Sequence, residues 1–482
     1  MYAILFVNLF SKEHEMKLWA HWYNAVLMLR PTCARMRTFL WFVTCLAGMT
    51  IRGDFLGVTS IVRALGVKGI CYDRILDFYH GTGLKLDKLT HTWLRTVVKI
   101  FPDILRVNGR LLLVGDGIKI PKEGKKMPAV KGLHQQSESN SKSPFIMGHS
   151  FQAIGILVGA LNNVFAVPLV SRIHEGLVFS NRDQRTLLDK MVSLIESLGI
   201  CEPFFFIADA YYATGKIIKK LLQKGNHLIT LVRSNAVAYY PASRNSQNKR
   251  RGRPRIYGKK VKLKTLFNDP DTMQTASSPV YGEKRTQIRF RSVDLIWRPV
   301  GILVRFVAVI HPVRGRCILM CTDLGLPALE IIRLYGLRFK IELSFKQAIR
   351  VLGTYAYHFW MRTMKPIKRF SGNQYLHKKP EAYRQAVRRK IDAYHRYVQT
   401  GLIAQGLLQY LSAAFPQLVF SSFGSWFRTI RSDFSPSEHV AAIALRNTFP
   451  EFLSVCSKDS IFKKFLLERI DLDRIEGLRL VA

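Results

Sequence analysis

Acidic residues are scarce in this chain. Only 33 Asp and Glu face 73 Lys and Arg, leaving a formal net charge of +40 on 482 residues. The basic excess runs along the whole length, so the chain repels itself unless a polyanion neutralises it. Nucleic acid is the natural partner, because each neutralised phosphate releases counterions and adds affinity. An anionic membrane is the competing partner, but long hydrophobic runs are also missing. The longest, Phe39 to Met49, is too short to span a bilayer and predicts a core helix. Cysteines are few and scattered: Cys33, Cys45, Cys71, Cys201, Cys317, Cys321 and Cys456 show neither zinc spacing nor a disulfide framework. They read as reduced core residues of a cytoplasmic protein. The apolar opening MYAILFVNLF lacks a basic start and a cleavage site, so no signal peptide is expected. It reads instead as an upstream extension, with Met16, Met28 or Met36 as alternative starts.

What is present is apolar residue enough, 48% of the chain, to bury a large core in three or four units. Residues 1–108 read as a helical N-terminal DNA-binding region. Within it, VTSIVRALGVKGICYDRILDFYHG predicts two short helices around a Gly66–Gly69 turn. That pattern fits a helix-turn-helix offering Arg63, Lys68, Arg74 and His80 to DNA, and equally an ordinary helical hairpin. From Gly109 to residue 235 strands and helices alternate, which predicts a mixed α/β sheet with covered faces. Two strands are expected to join at Gly159–Asn163, a helix to run over Asn181–Leu198, and another over Gly215–Gln223 behind Thr214 as N-cap. Residues 236–326 read as a β-rich insertion entered through a basic loop. Residues 327–365 form a helix region, and 366–482 a helical C-terminal region able to serve dimerisation.

Two apolar runs, RLLLVGDG and FFFIADA, end in Asp116 and Asp209, where open α/β sheets place their sites. Downstream, Tyr335, Arg338, Glu342 and Lys346 fall within about 80° of one predicted helix. Leu334, Leu337, Ile341, Phe345 and Ala348 form an apolar stripe beside them. Taken alone, Arg338–Glu342 is an ordinary i,i+4 pair and Asp116–Gly117 an ordinary turn. Together, three carboxylates from separate elements make a hard-oxygen set suited to two Mg²⁺ or Mn²⁺ ions. Such ions serve in-line phosphodiester displacement.

The order Asp116, Asp209, β insertion, Glu342, with YGLRFKIE around the glutamate, resembles the DDE transposases of bacterial insertion sequences. The similar group carries a Tyr-x2-Arg-x3-Glu-x6-Lys signature. VGDGIKIPKEGKKMPAVKGLH, FIADAYYATGK and CTDLGLPALEIIRLY extend the likeness over roughly residues 40 to 365. The resemblance implies an RNase H-like core interrupted by the β insertion. It makes Asp116, Asp209 and Glu342 the metal ligands, and Tyr335 and Arg338 contacts to phosphate or strand ends. The signature's lysine falls at Ile349, with Lys346 and Arg350 beside it to supply the charge. Trp297 is a candidate base-stacking residue and equally a core residue. Arg250 to Arg255 (RRGRPR) resembles an AT-hook, with Arg251, Arg253 and Arg255 reaching a narrow minor groove. His149 and Glu175 are candidates for supporting the acids.

The implied activity is cut-and-paste transposition by a homodimer acting on double-stranded transposon ends and target DNA in the nucleoid. A decayed, DNA-binding remnant and a structure-selective nuclease are the alternatives.

Overall fold

The computed structural model describes residues 17–135, 144–242, 255–283, 285–454 and 461–473. The expected mixed α/β organisation is present: one large mixed sheet is flanked by helices. At its centre the strand Arg110–Pro121 runs parallel to Phe204–Ala208, which runs parallel to His227–Val232. On the other side, Arg110–Pro121 pairs antiparallel with Phe145–Ala160, and that strand with Asn163–Ile173. The last two form the expected hairpin, turning at Leu161–Asn162, where Asn162 takes a left-handed φ of 47°.

The strands of the 236–326 stretch join this same sheet. Gly315–Cys321 pairs antiparallel with His227–Val232, and Ile302–His311 and Gln287–Trp297 follow outward. Trp297 is buried in the core and offers no stacking face. Arg251 and Arg253 lie outside the described residues. Arg255 is exposed and donates to the Tyr257 carbonyl at 2.7 Å.

Two helices test local rules. Gly215–Gln223 begins behind Thr214, whose hydroxyl accepts from the Ile217 N–H. The helix expected over Asn181–Leu198 is shorter, Leu187–Glu196. Thr186 and Asp189 form a reciprocal capping box that fixes the start six residues later.

Alternation along the strands splits the core in two. Leu111, Leu113, Phe204, Phe206 and Leu228 face a large cluster that includes the N- and C-terminal helices. Leu112, Val114, Phe205, Ile207 and Ile229 face a smaller cluster with Leu334, Leu337 and Ile341. Helix Met36–Ile51 buries nearly its whole length, as its apolar run predicts. Helix Glu381–Ala414 is sunk within its own chain from Ala393 onward. Arg52, 1% exposed, ties these parts together. It donates to the carbonyls of Leu352, Gly353 and Gly57 and to the hydroxyls of Ser60 and Tyr397.

In the helix-turn-helix candidate, Val58–Ala64 and Cys71–His80 flank Gly66, which is left-handed at φ 61°. Arg63 pairs with Asp54 at 3.3 Å, and Arg74 approaches Asp77 at 3.9 Å. His80 turns inward to the Leu76 carbonyl and Lys390. No helix among the described residues is long and apolar enough to cross a membrane.

Candidate active site

Register places the first two acids side by side. Val114 pairs with Ile207 across the parallel strands, and Asp116 and Asp209 each lie two residues beyond that pair. Both therefore project toward the face carrying Val114 and Ile207. Asp116 does not end its strand as the sequence implied. The strand continues to Pro121, held by Phe145–Ala160, while the shorter neighbour stops at Ala208. The crevice opens where that neighbour gives out. Gly115 is required beside it, since a Cβ there would lie 2.3 Å from the Phe206 ring.

The third element is a pair of helices, not the single one expected. Ala328–Gly336 stops at its glycine, and Phe339–Arg350 begins after a tight turn through Leu337 and Arg338. Across that turn the N–H groups of Leu337, Arg338, Lys340 and Ile341 bond to carbonyls three residues back. Leu334, Leu337 and Ile341 seat the pair against Val114 and Ile207. Arg338 then reaches between the acids. It donates to Asp116 Oδ2 at 3.1 Å and to Glu342 Oε1 at 2.7 Å. Its guanidinium carbon lies 6.0 Å from the centre of the Tyr335 ring.

The electrostatics tie five residues into one field. Burial pushes the Asp116 carboxyl up to about 6, with the charges of Asp209 and Glu342 adding to the rise and Gly117 N–H and Arg338 opposing it. Asp209 is raised for the same first reason, burial, while Arg338 and the Tyr211 N–H hold it down. Burial raises the Tyr335 phenol, with a further push from Asp209. Burial lowers the Arg338 guanidinium, but Tyr335, Glu342 and Asp116 outweigh it and raise the group overall.

Lys346 and Arg350 lie one and two turns beyond Glu342 and are solvent-exposed, as is Ile349. His149 is not beside the acids. It pairs with Ile120, four residues along the strand, and contacts Tyr357 Oη at 2.5 Å and the Pro128 carbonyl at 2.8 Å. Glu175 instead approaches Lys131 at 3.7 Å. Tyr212 was not foreseen. It is buried beneath the crevice, and burial together with Asp116 and Asp209 raises its phenol. The doubled tyrosine in FIADAYYATGK was its only signal.

Residues 173–356 match the family model for the transposase DDE domain. Over that stretch the chain is similar to the transposase DDE domain. It takes in Asp209, Tyr335, Arg338 and Glu342, whereas Asp116 precedes it and is joined to them by sheet register and by the Arg338 ion pair. No curated protein matches the chain. The large mixed sheet with its flanking helices is consistent with the transposase DDE domain.

Among the described residues, no three His, Cys, Asp or Glu side chains are already gathered into a metal cluster. The donor chemistry of the acids nevertheless fits a hard divalent cation. The half-buried carboxyls of Asp116 and Asp209 are raised by desolvation, Glu342 pushes both higher, and Arg338 opposes the rise.

Proposed function

We propose that this chain is a cut-and-paste DDE transposase acting on the terminal inverted repeats of its own insertion sequence. The observation that carries the reading is that Asp116 and Asp209 share one register level and Arg338 bridges Asp116 to Glu342. The strand order supports an RNase H-like core, with three antiparallel strands followed by two parallel ones. Strands 236–326 are read as the insertion before the third acid.

Asp116, Asp209 and Glu342 would hold two Mg²⁺ or Mn²⁺ ions. When bound, these supply activation of the attacking hydroxyl and charge neutralisation at the leaving oxygen. The chain's own groups do the positioning. Arg338 presents a planar donor fork suited to a phosphate, and its bonds to Asp116 and Glu342 offset the repulsion among the acids. Tyr335 flanks that fork. Lys346 and Arg350 continue the positive face along the helix toward the DNA backbone, with Arg255, Arg251 and Arg253 as a further basic loop. The helical N-terminal region would bind the transposon ends, and a homodimer in the nucleoid would pair them.

A second reading has two observations in its favour: Arg338 bridges Asp116 and Glu342, and Ile349 stands where the signature has lysine. On that reading the chain binds repeats without cutting them. Supercoiled plasmid carrying the DNA that flanks this gene decides between the two, with wild type and Glu342→Gln compared in Mg²⁺, Mn²⁺ and chelator. Metal-dependent breaks at the repeat ends, lost in the variant, are expected. Tight binding without breaks by the wild type overturns the enzymatic reading.

A further inference from the structure

Between Glu342 and Glu381 the chain has eight Lys and Arg and no Asp or Glu. The later part of this stretch wraps back over the loop that follows the Asp116 strand. Met361 N–H bonds to the Lys126 carbonyl, Ile367 N–H to Lys125, and the Gly132 N–H to Ser371. Phe370 adopts a left-handed φ of 63°, an outlier for a bulky side chain, yet its ring stays 57% exposed. Strain kept at a surface ring points toward use of that ring.

The ring is also held in place. Its N–H donates to Met147 Sδ at 3.2 Å, and the Arg369 guanidinium sits 5.0 Å from its centre. Phe145, itself 49% exposed, meets it edge-on at 6.4 Å, and His134 meets Phe145 at 5.1 Å. Gly132 lies directly beneath, where a Cβ would be 3.2 Å from the Phe370 Cα. Aromatic faces set among cations, with no carboxylate on the segment, match the chemistry of bases joined by phosphates.

Position connects this platform to the acids. Phe145 is eight residues along its strand from Ala153, the partner of Asp116, or roughly 26 Å at strand rise. That is a span of several nucleotides. Three residues beyond Phe370, Asn373 lines a groove of about 390 Å³ that Tyr211 also lines, and the Tyr211 N–H donates to Asp209.

We propose that the Phe370–Phe145 platform, with Arg369, stacks the bases of a single-stranded DNA segment leading away from the acid crevice. The proposal rests on the transposase reading for the source of that strand, and duplex DNA has no free base faces to offer the rings.

The test uses the full chain in chelator, so that no cleavage intervenes. Binding is measured by fluorescence anisotropy to a labelled blunt duplex and to the same duplex with a single-stranded extension. Phe370→Asn keeps a residue that tolerates the left-handed backbone and removes the ring. It is expected to lose about tenfold in affinity for the extended duplex, the scale of one stacked base, and none for the blunt one. Phe145→Thr, which suits a strand, is expected to lose affinity in the same selective way. Equal losses on both DNAs, or no loss in either variant, overturn the platform. A wild type that fails to cut in Mg²⁺ overturns the transposase reading and leaves the selective binding result standing.

Discussion

Two groups of ionisable side chains flank the strand Arg110–Pro121 and differ in one respect. At Asp116 they open onto a crevice, with the Glu342 side chain 54% exposed. Farther along, Lys122, His149 and Tyr357 are sealed. Burial pulls the Lys122 ammonium down to about 7, and burial, then Lys122, pulls the His149 imidazole down to about 3. Both shifts are as large as that of Asp116. Lys122 spends its protons on the carbonyls of Tyr355 and Tyr357, and His149 is satisfied by Tyr357 and Pro128. A perturbed group that is fully partnered and closed to solvent serves the fold. One sharing its field with like charges at an open edge is available for chemistry. His149 was a candidate for supporting the acids, and the sealed cluster accounts for it instead.

The largest contrast comes from one substitution in each group. Glu342→Gln is expected to reduce metal-dependent plasmid cleavage by about 100- to 1000-fold or more while leaving the urea midpoint unchanged. Tyr357→Phe removes the hydroxyl facing His149 and leaves a buried ring nitrogen unpartnered, at a cost of about 1–3 kcal/mol. Its urea midpoint should fall while cleavage by the folded protein persists. The comparison fails if Tyr357→Phe abolishes cleavage without loss of stability.

Stability against pH sharpens the same difference. The folded Asp116 carboxyl, at about 6, binds its proton more tightly than the unfolded chain, whose value is 3.8. Its contribution is therefore fully present below pH 3.8 and is lost as pH rises through 6. The carboxylate then costs the fold up to about 3 kcal/mol at neutral pH. Asp116→Asn should match the wild type in melting temperature near pH 3.5 and exceed it at pH 7. Added Mg²⁺ should narrow that gap by stabilising the wild type alone. Lys122 runs the other way. With its folded value lowered from 10.5 to about 7, stability rises with pH across that interval. An Asn variant no more stable at pH 7 than at pH 3.5, relative to wild type, removes the crowding assigned to the crevice.

How much of this was legible in the sequence depended on range. Thr214 as a cap and the Gly159–Asn163 hairpin were readable because caps and turns are settled within a few residues. That Asp116 and Asp209 follow buried strand segments was readable from the apolar runs before them. Asp116 was nevertheless misplaced as a strand end, since its strand is prolonged by a neighbour that periodicity does not reveal. The break at Gly336 was missed because the apolar spacing runs through it. Only the structure shows that a Cβ on Gly336 would press on Val280 at 3.1 Å, so the residue there is the one that ends helices. Arg52 was wholly silent, since its carbonyl partners Leu352 and Gly353 are 300 and 301 residues away. Phe370 gave no signal either, because a left-handed φ at phenylalanine has no sequence signature.

The smallest expected effect concerns the signature's missing lysine. Ile349 is 43% exposed on the helix that carries Glu342, so a lysine there meets solvent without disturbing the core. It would sit beside Lys346 and Arg350, which already supply positive charge. One added phosphate contact steepens the plot of log affinity against log salt by about 0.9. Ile349→Lys should therefore bind repeat DNA more tightly at low salt, lose that advantage as salt rises, and leave the cleavage rate at saturating DNA unchanged. An unchanged salt slope would mean that residue 349 faces away from the DNA. A large rise in the saturated rate would instead assign the lysine a part in the chemistry. Lys346 and Arg350 would then be shown not to replace it.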